Sequence, residues 1–148
     1  MYSRNLTRTI DLLLVEDNPG DVRLTEEALR DAPFPVKLSV AKDGVEAVDF
    51  LHRRGKFRNA PRPDLILLDL NLPLMNGPEV LSDIKTDPDL KRIPVLVMTS
   101  SREPGDIQKA YSLNANSFIT KPVHLEDFMS MVQSIENFWL HTAELPEY

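Results

Sequence analysis

The chain contains no cysteine, which removes disulfides, zinc–thiolate centres and thiol nucleophiles from consideration at once. It also lacks any apolar run near the ~18 residues that a membrane helix requires. The N-terminus carries Arg4 and Arg8 but no apolar segment of the secretory kind. Basic residues are in deficit: 17 Lys and Arg face 23 Asp and Glu, for a net charge of −6. A chain of that sign is poorly suited to neutralising phosphates, which argues against bulk nucleic-acid binding and leaves protein partners open. Low-complexity tracts and internal repeats are missing as well. What these absences leave is a cytoplasmic, unanchored globular protein. At 148 residues, 42% of them hydrophobic, it has enough chain for one domain with a real core and too little for two.

What is present is an alternation of apolar runs and helical stripes. Ile10–Val15 (IDLLLV) reads as a first strand that stops at Glu16-Asp17-Asn18-Pro19-Gly20. Gly20 through Ala32 reads as a helix with Leu24, Ala28 and Ala32 along one stripe, ended by Pro33 and Pro35. Val36–Val40 alternates as a half-buried strand does, and Asp43-Gly44 opens a helix with Ala47, Val48 and Leu51 on one face. A basic, turn-rich connector, His52–Pro63, leads to Leu65-Ile66-Leu67-Leu68, an unbroken run typical of a strand buried on both faces. That run ends at Asp69 and leaves through Asn71, Pro73, Asn76 and Gly77, all turn formers. Gly77, Val80, Leu81 and Ile84 mark a third helix, and Ile93–Met98 is another apolar strand. Pro104 begins a helix carrying Ile107, Ala110 and Tyr111. Ser117-Phe118-Ile119 is a short strand, and Leu125, Phe128, Met129, Val132, Ile135 and Trp139 line the last helix. Five strands alternating with five helices predict a doubly wound parallel α/β sheet with right-handed crossovers and helices on both faces.

In such a sheet every strand exit lies on one edge, where open α/β folds place their ligand chemistry. The exits carry Glu16-Asp17, Asp69, Thr99 and Lys121. Three crowded carboxylates repel one another unless a cation compensates, and that many hard oxygen donors suit Mg²⁺. Lys121 is a point charge able to clamp a phosphoryl oxygen, Thr99 can donate to another, and a carboxylate such as Asp69 can form an aspartyl-phosphate. Each residue also has a plainer explanation. Glu16-Asp17 suits a helix N-terminus, Asp69 a turn cap, Thr99 a local turn, and Lys121 a solvated surface. The ordered set, each member at an apolar strand's end, is far harder to reach by chance than its parts.

With those five residues in place, the sequence resembles a receiver domain of a two-component response regulator, of the single-domain CheY-like kind, over roughly Asp11–Trp139. The resemblance implies a flavodoxin-like sheet of order 2-1-3-4-5. It implies Glu16 and Asp17 as the acidic metal pair, Asp69 as phosphoacceptor and Thr99 and Lys121 as phosphoryl ligands. It implies that Asp69 and the main-chain carbonyl of Asn71 join Glu16 and Asp17 as metal ligands. It further implies a cis Lys121–Pro122 bond, Phe118 as switch aromatic working with Thr99, a small Ser100 that leaves the phosphoryl group accessible, and Asn71 and Ser101 where the family tunes dephosphorylation. Phe118 has a plainer reading too, as ordinary edge-strand packing. More narrowly, EDNPGDVRLTEEAL, RRGKFRNAPRPDLILLDLNLPLMNG, TDPDLKRIPVLVMTSS and SIENFWL are similar to regulators that partner phytochrome-type histidine kinases. Such a protein is not an enzyme beyond its own phosphorylation and slow dephosphorylation.

The expected division is a loose arm over residues 1–9, a receiver over 10–139 and a tail over 140–148. With no output module after the last helix, the signal has to leave through a surface, namely the helix from Pro104, the fifth strand and the last helix. Phe138 and Trp139 are adjacent, so one helical face cannot bury both. With Leu140, Leu145 and Tyr148 they form an apolar tail suited to a homodimer or to folding back on its own domain. Two readings from other classes compete. A haloacid-dehalogenase-type phosphatase would want an acid two residues after its nucleophile, where this chain has Asn71. A phosphorylation-independent interaction module would have no need of the five pocket residues.

Overall fold

Five strands pair in parallel in the order β2-β1-β3-β4-β5: β1 (Ile10–Val15), β2 (Val36–Ala41), β3 (Leu65–Asp69), β4 (Val95–Thr99) and β5 (Ser117–Thr120). This is the expected sheet. The structure, a computed structural model, describes residues 9–30, 35–99, 115, 117–121 and 125–135, with the backbone alone for 117, 118, 120, 125, 128, 132 and 135. Residues 1–8 of the expected arm, the helix from Pro104, the Lys121–Pro122 bond, Ser100, Ser101, Phe138, Trp139 and the tail lie outside the described residues.

Strand periodicity sorts the leucines into two layers. Leu13, Val15, Ile66, Leu68, Val95 and Val97 face the side covered by α2 (Gly44–Leu51) and α3 (Gly77–Thr86). Leu12, Leu14, Leu65, Leu67, Leu96 and Met98 face the side covered by α1 (Pro19–Arg30), while Met129 and Met131 of α4 (Leu125–Ile135) pack on the same layer. Every residue of β3 and β4 is buried, which is why these two strands read as continuous apolar runs. Each fully buried leucine or isoleucine side chain contributes about 2 kcal/mol relative to exposure.

Three local features depart from the pattern reading. The face of α1 that goes inward is Thr25, Ala28 and Leu29, with Leu24 only half-buried. Thr25 fits there because its hydroxyl donates back to the Asp21 carbonyl at 2.8 Å, so the buried polar atom is satisfied. β4 begins at Val95 because Ile93 closes the 3-10 turn Leu90–Arg92 through its N–H to Leu90, and it extends one residue further, to Thr99. The connector before β3 contains a 3-10 turn, Gly55–Phe57, whose Phe57 ring meets Phe50 at 5.4 Å between centroids. It is thereby tied to the core. Among the described residues no helix is long and apolar enough to cross a membrane.

Candidate functional site

The site is assembled where β1, β3, β4 and β5 end. The first strand hands on to Glu16, whose N–H donates to Ala41 at 2.9 Å and so prolongs the β1–β2 pairing by one residue. Its side chain is 1% exposed. Asp17 follows and is exposed. Asp69 closes β3, and Thr99 closes β4 with no exposed surface. Lys121 comes one residue after β5 and is held beside β4 by its N–H to the Thr99 carbonyl at 2.6 Å.

The turn after β3 keeps the phosphoacceptor candidate in place. Asn71 donates its backbone N–H to Asp69 Oδ1 at 3.0 Å and its side-chain amide to Thr99 Oγ1 at 3.3 Å. Gly77 returns to the strand end with its N–H on the Leu70 carbonyl at 3.0 Å. A Cβ at Gly77 would lie 2.4 Å from Leu70 Cα and 2.7 Å from the Asp69 carbonyl, so no other residue allows so close an approach. A capping box between Asn76 and Glu79 then starts α3.

Charge is concentrated here. Carboxylate oxygens of Glu16, Asp17 and Asp69 lie within 4.8 Å of one another, a span that one small divalent cation can bridge with hard oxygen donors. The compensating charge among the described residues is Lys121. Its Nζ bonds Glu16 Oε1, Asp69 Oδ2 at 3.1 Å and Asp21 Oδ2 at 3.0 Å. Burial pushes the Glu16 carboxyl up to about 7; the Lys121 bond works against the rise, and neighbouring Asp69 adds to it. Burial alone would lower the Lys121 ammonium, but the bond to Glu16, the charges of Asp69 and Glu16 and the bond to Asp21 outweigh it and hold the group above its ordinary value. The four acids, Asn71 and Lys121 surround an open cavity of about 370 Å³. Another cavity, of about 270 Å³, is lined by His52, Arg62, Asp87 and Asp89. Arg62 stands before β3 and Asp87 and Asp89 before β4, so that cavity belongs to the opposite edge of the sheet, away from the strand exits.

Residues 12–133 match the family model of the response regulator receiver domain. The chain belongs to this family. It is 49% identical over 135 residues to response regulator Rcp1 of Synechocystis sp., covering 91% of this chain and 92% of that protein. The phosphorylated cyanobacterial phytochrome response regulator RcpA is similar in structure, with a TM-score of 0.92 and 48% identity over 95% of this chain and 100% of that one. The Mn²⁺-bound form of Rcp1 gives 0.91 and 48%, over 93% and 99% of the two chains.

The receiver's strand exits bring Glu16, Asp17, Asp69, Thr99 and Lys121 to one edge, as the sequence pattern requires. Phe118 is placed only by its backbone, in β5 opposite Val97; its side chain lies outside the described residues. Sequence reasoning missed Asp21. It sits in the first turn of α1 and reads as an ordinary acid at a helix N-terminus. The one available signal was its place a single turn beyond Asp17, on the helix that leaves the same sheet edge.

Proposed function

We propose that this receiver accepts a phosphoryl group from a histidine kinase onto Asp69. A single observation carries the reading: Lys121 Nζ reaches Glu16 and Asp69, which lie 105 and 52 residues away in sequence, so three strand exits share one charge centre. In the transfer, an Asp69 carboxylate oxygen attacks phosphorus, the phosphorus–nitrogen bond to the kinase's histidine breaks, and the imidazole departs as the phosphorus–oxygen bond to Asp69 forms. Lys121, already 3.1 Å from Asp69, exchanges a carboxylate oxygen for a phosphoryl oxygen as charge develops there. The Thr99 hydroxyl at the end of β4 is the donor for a second oxygen, and Phe118 is the aromatic that follows it.

Glu16, Asp17 and Asp69, with the Asn71 carbonyl, would hold the divalent cation, for which Mg²⁺ is our reading. When bound, such an ion supplies neutralisation of the phosphoryl oxygens. Outside self-phosphorylation and slow dephosphorylation the protein is read as a switch and not an enzyme, acting in the cytoplasm. The similarity to regulators described with phytochromes supports a phytochrome-type histidine kinase as partner. The division into an arm over 1–9, a receiver over 10–139 and a tail over 140–148 is part of the same reading. So is a homodimer through the helix from Pro104, β5, α4 and the tail, which light scattering with and without a phosphoryl analogue tests. Purely monomeric mass in both states would remove it.

The deciding experiment is labelling by acetyl phosphate with Mg²⁺, in the wild type and in Asp69→Asn. We expect acid-labile label on the wild type and none on the variant. Persistent label on Asp69→Asn would sink the assignment.

A further inference from the structure

Lys121 has three N–H donors, and three carboxylates take them. The three partners are not equivalent. Glu16 and Asp69 have side chains 1% and 6% exposed and belong to the trio whose oxygens converge within 4.8 Å, whereas Asp21 is 25% exposed and stands outside that trio. The Asp21 backbone is fixed on both sides. Its N–H donates to Asn18 Oδ1 at 3.1 Å and its carbonyl accepts the Thr25 hydroxyl at 2.8 Å. A cation entering among Glu16, Asp17 and Asp69 takes oxygens from two of the three partners of Lys121. Asp21 is the partner that remains.

We propose that Asp21 is a positioning residue for Lys121, holding the ammonium toward α1 so that Glu16 and Asp69 are free to take a divalent cation. This rests on the reading of Glu16, Asp17 and Asp69 as the cation ligands. Without the Asp21 charge, Lys121 is shared by Glu16 and Asp69 alone. It then competes with the incoming ion for the same oxygens. An acid that merely favoured the start of α1 would have no effect on cation binding. An acid that merely added negative potential to the cavity would act whether or not Lys121 were there.

The test is a double-mutant cycle on the full chain, titrated with Mg²⁺ alone and with Mn²⁺ alone. Thermal melts of each protein serve as the check on folding. Asp21→Asn is expected to weaken binding roughly fivefold in the wild-type background, within the range measured for coupled neighbours. In the Lys121→Met background the same substitution is expected to change it by less than about twofold, the scale of a screened, partly exposed charge. Equal weakening in both backgrounds, or no weakening in the wild type, overturns the role given to Asp21 and leaves the cation site standing. Absence of saturable binding to the wild type removes the cation site and this inference with it. Should Lys121→Met fail to fold, the side-chain resonances of Lys121 in metal-free wild type and Asp21→Asn decide. A shift of the Lys121 Cε signal supports the contact, and an unmoved signal overturns it.

Discussion

Cation affinity should depend on pH through one buried carboxyl. Burial raises Glu16 from an ordinary 4.5 to about 7, so the metal-free protein holds a proton there across a range in which a free glutamate would not. A cation that uses the Glu16 oxygens has to displace that proton. With the carboxyl near 7, Glu16 is mostly protonated at pH 6 and mostly ionised at pH 8. The dissociation constant for Mg²⁺ should therefore fall about tenfold between these values, with close to one proton released per ion at pH 6. The same shift acts on stability with the opposite sign. Because the folded protein binds the proton more tightly than the unfolded chain, the metal-free fold is favoured at acid pH. It loses up to about 3 kcal/mol from this group as pH rises from below 4.5 through 7. Calorimetric titration in buffers of different ionisation enthalpy reads the proton release directly. Glu16→Gln should bind more weakly at every pH, and its pH slope should be flattened. A wild-type dissociation constant that stays level from pH 6 to 8, or an unchanged slope in Glu16→Gln, would refute the assignment of the proton to Glu16.

Lys121→Met should lower the stability of the metal-free protein at pH 8 by about 3–5 kcal/mol, because it strands buried carboxylates. Millimolar Mg²⁺ should return part of that loss, and denaturant melts with and without the ion check both. Gly77→Ala forces a Cβ to within 2.4 Å of Leu70 Cα; we expect a loss of about 3 kcal/mol or more, as overpacking against backbone cannot relax cheaply, together with slower labelling by acetyl phosphate. Leu74 is 81% exposed, so its apolar side chain gains nothing from burial, and its φ of 67° is a left-handed conformation that a residue with its Cβ adopts at a cost. Leu74→Asn should therefore gain about 0.5–1 kcal/mol in chemical melts. A loss of that size would mean that Leu74 makes a contact its exposure conceals.

The fold was readable because its central strands are buried on both faces, so that Leu12–Val15, Leu65–Leu68 and Val95–Met98 contain no polar residue to interrupt them. Helical stripes were equally plain where every inward position is apolar, as in α3 with Val80, Leu81 and Ile84. The reading slipped where a polar residue is buried with its partner supplied locally. Thr25 turns inward because the Asp21 carbonyl accepts its hydroxyl, and no hydropathy pattern registers that bond. Thr99 ends β4 by pairing with Thr120, so the strand runs one residue beyond its apolar limit. The site shows the same division. Parallel strands bring their ends to one edge by topology alone, which is why Glu16, Asp69, Thr99 and Lys121 could be grouped from sequence. Which acids share the lysine is set by distances of a few ångströms at the end of a flexible four-carbon stem. Strand order carries no information at that scale. Asp21 belongs to a helix and not to a strand exit, so the edge rule passes over it. The charge balance around Lys121 is therefore divided between the ends of β1 and β3 and the first turn of α1, and the share of Asp21 becomes visible only when the turn that brings it to Lys121 has been built.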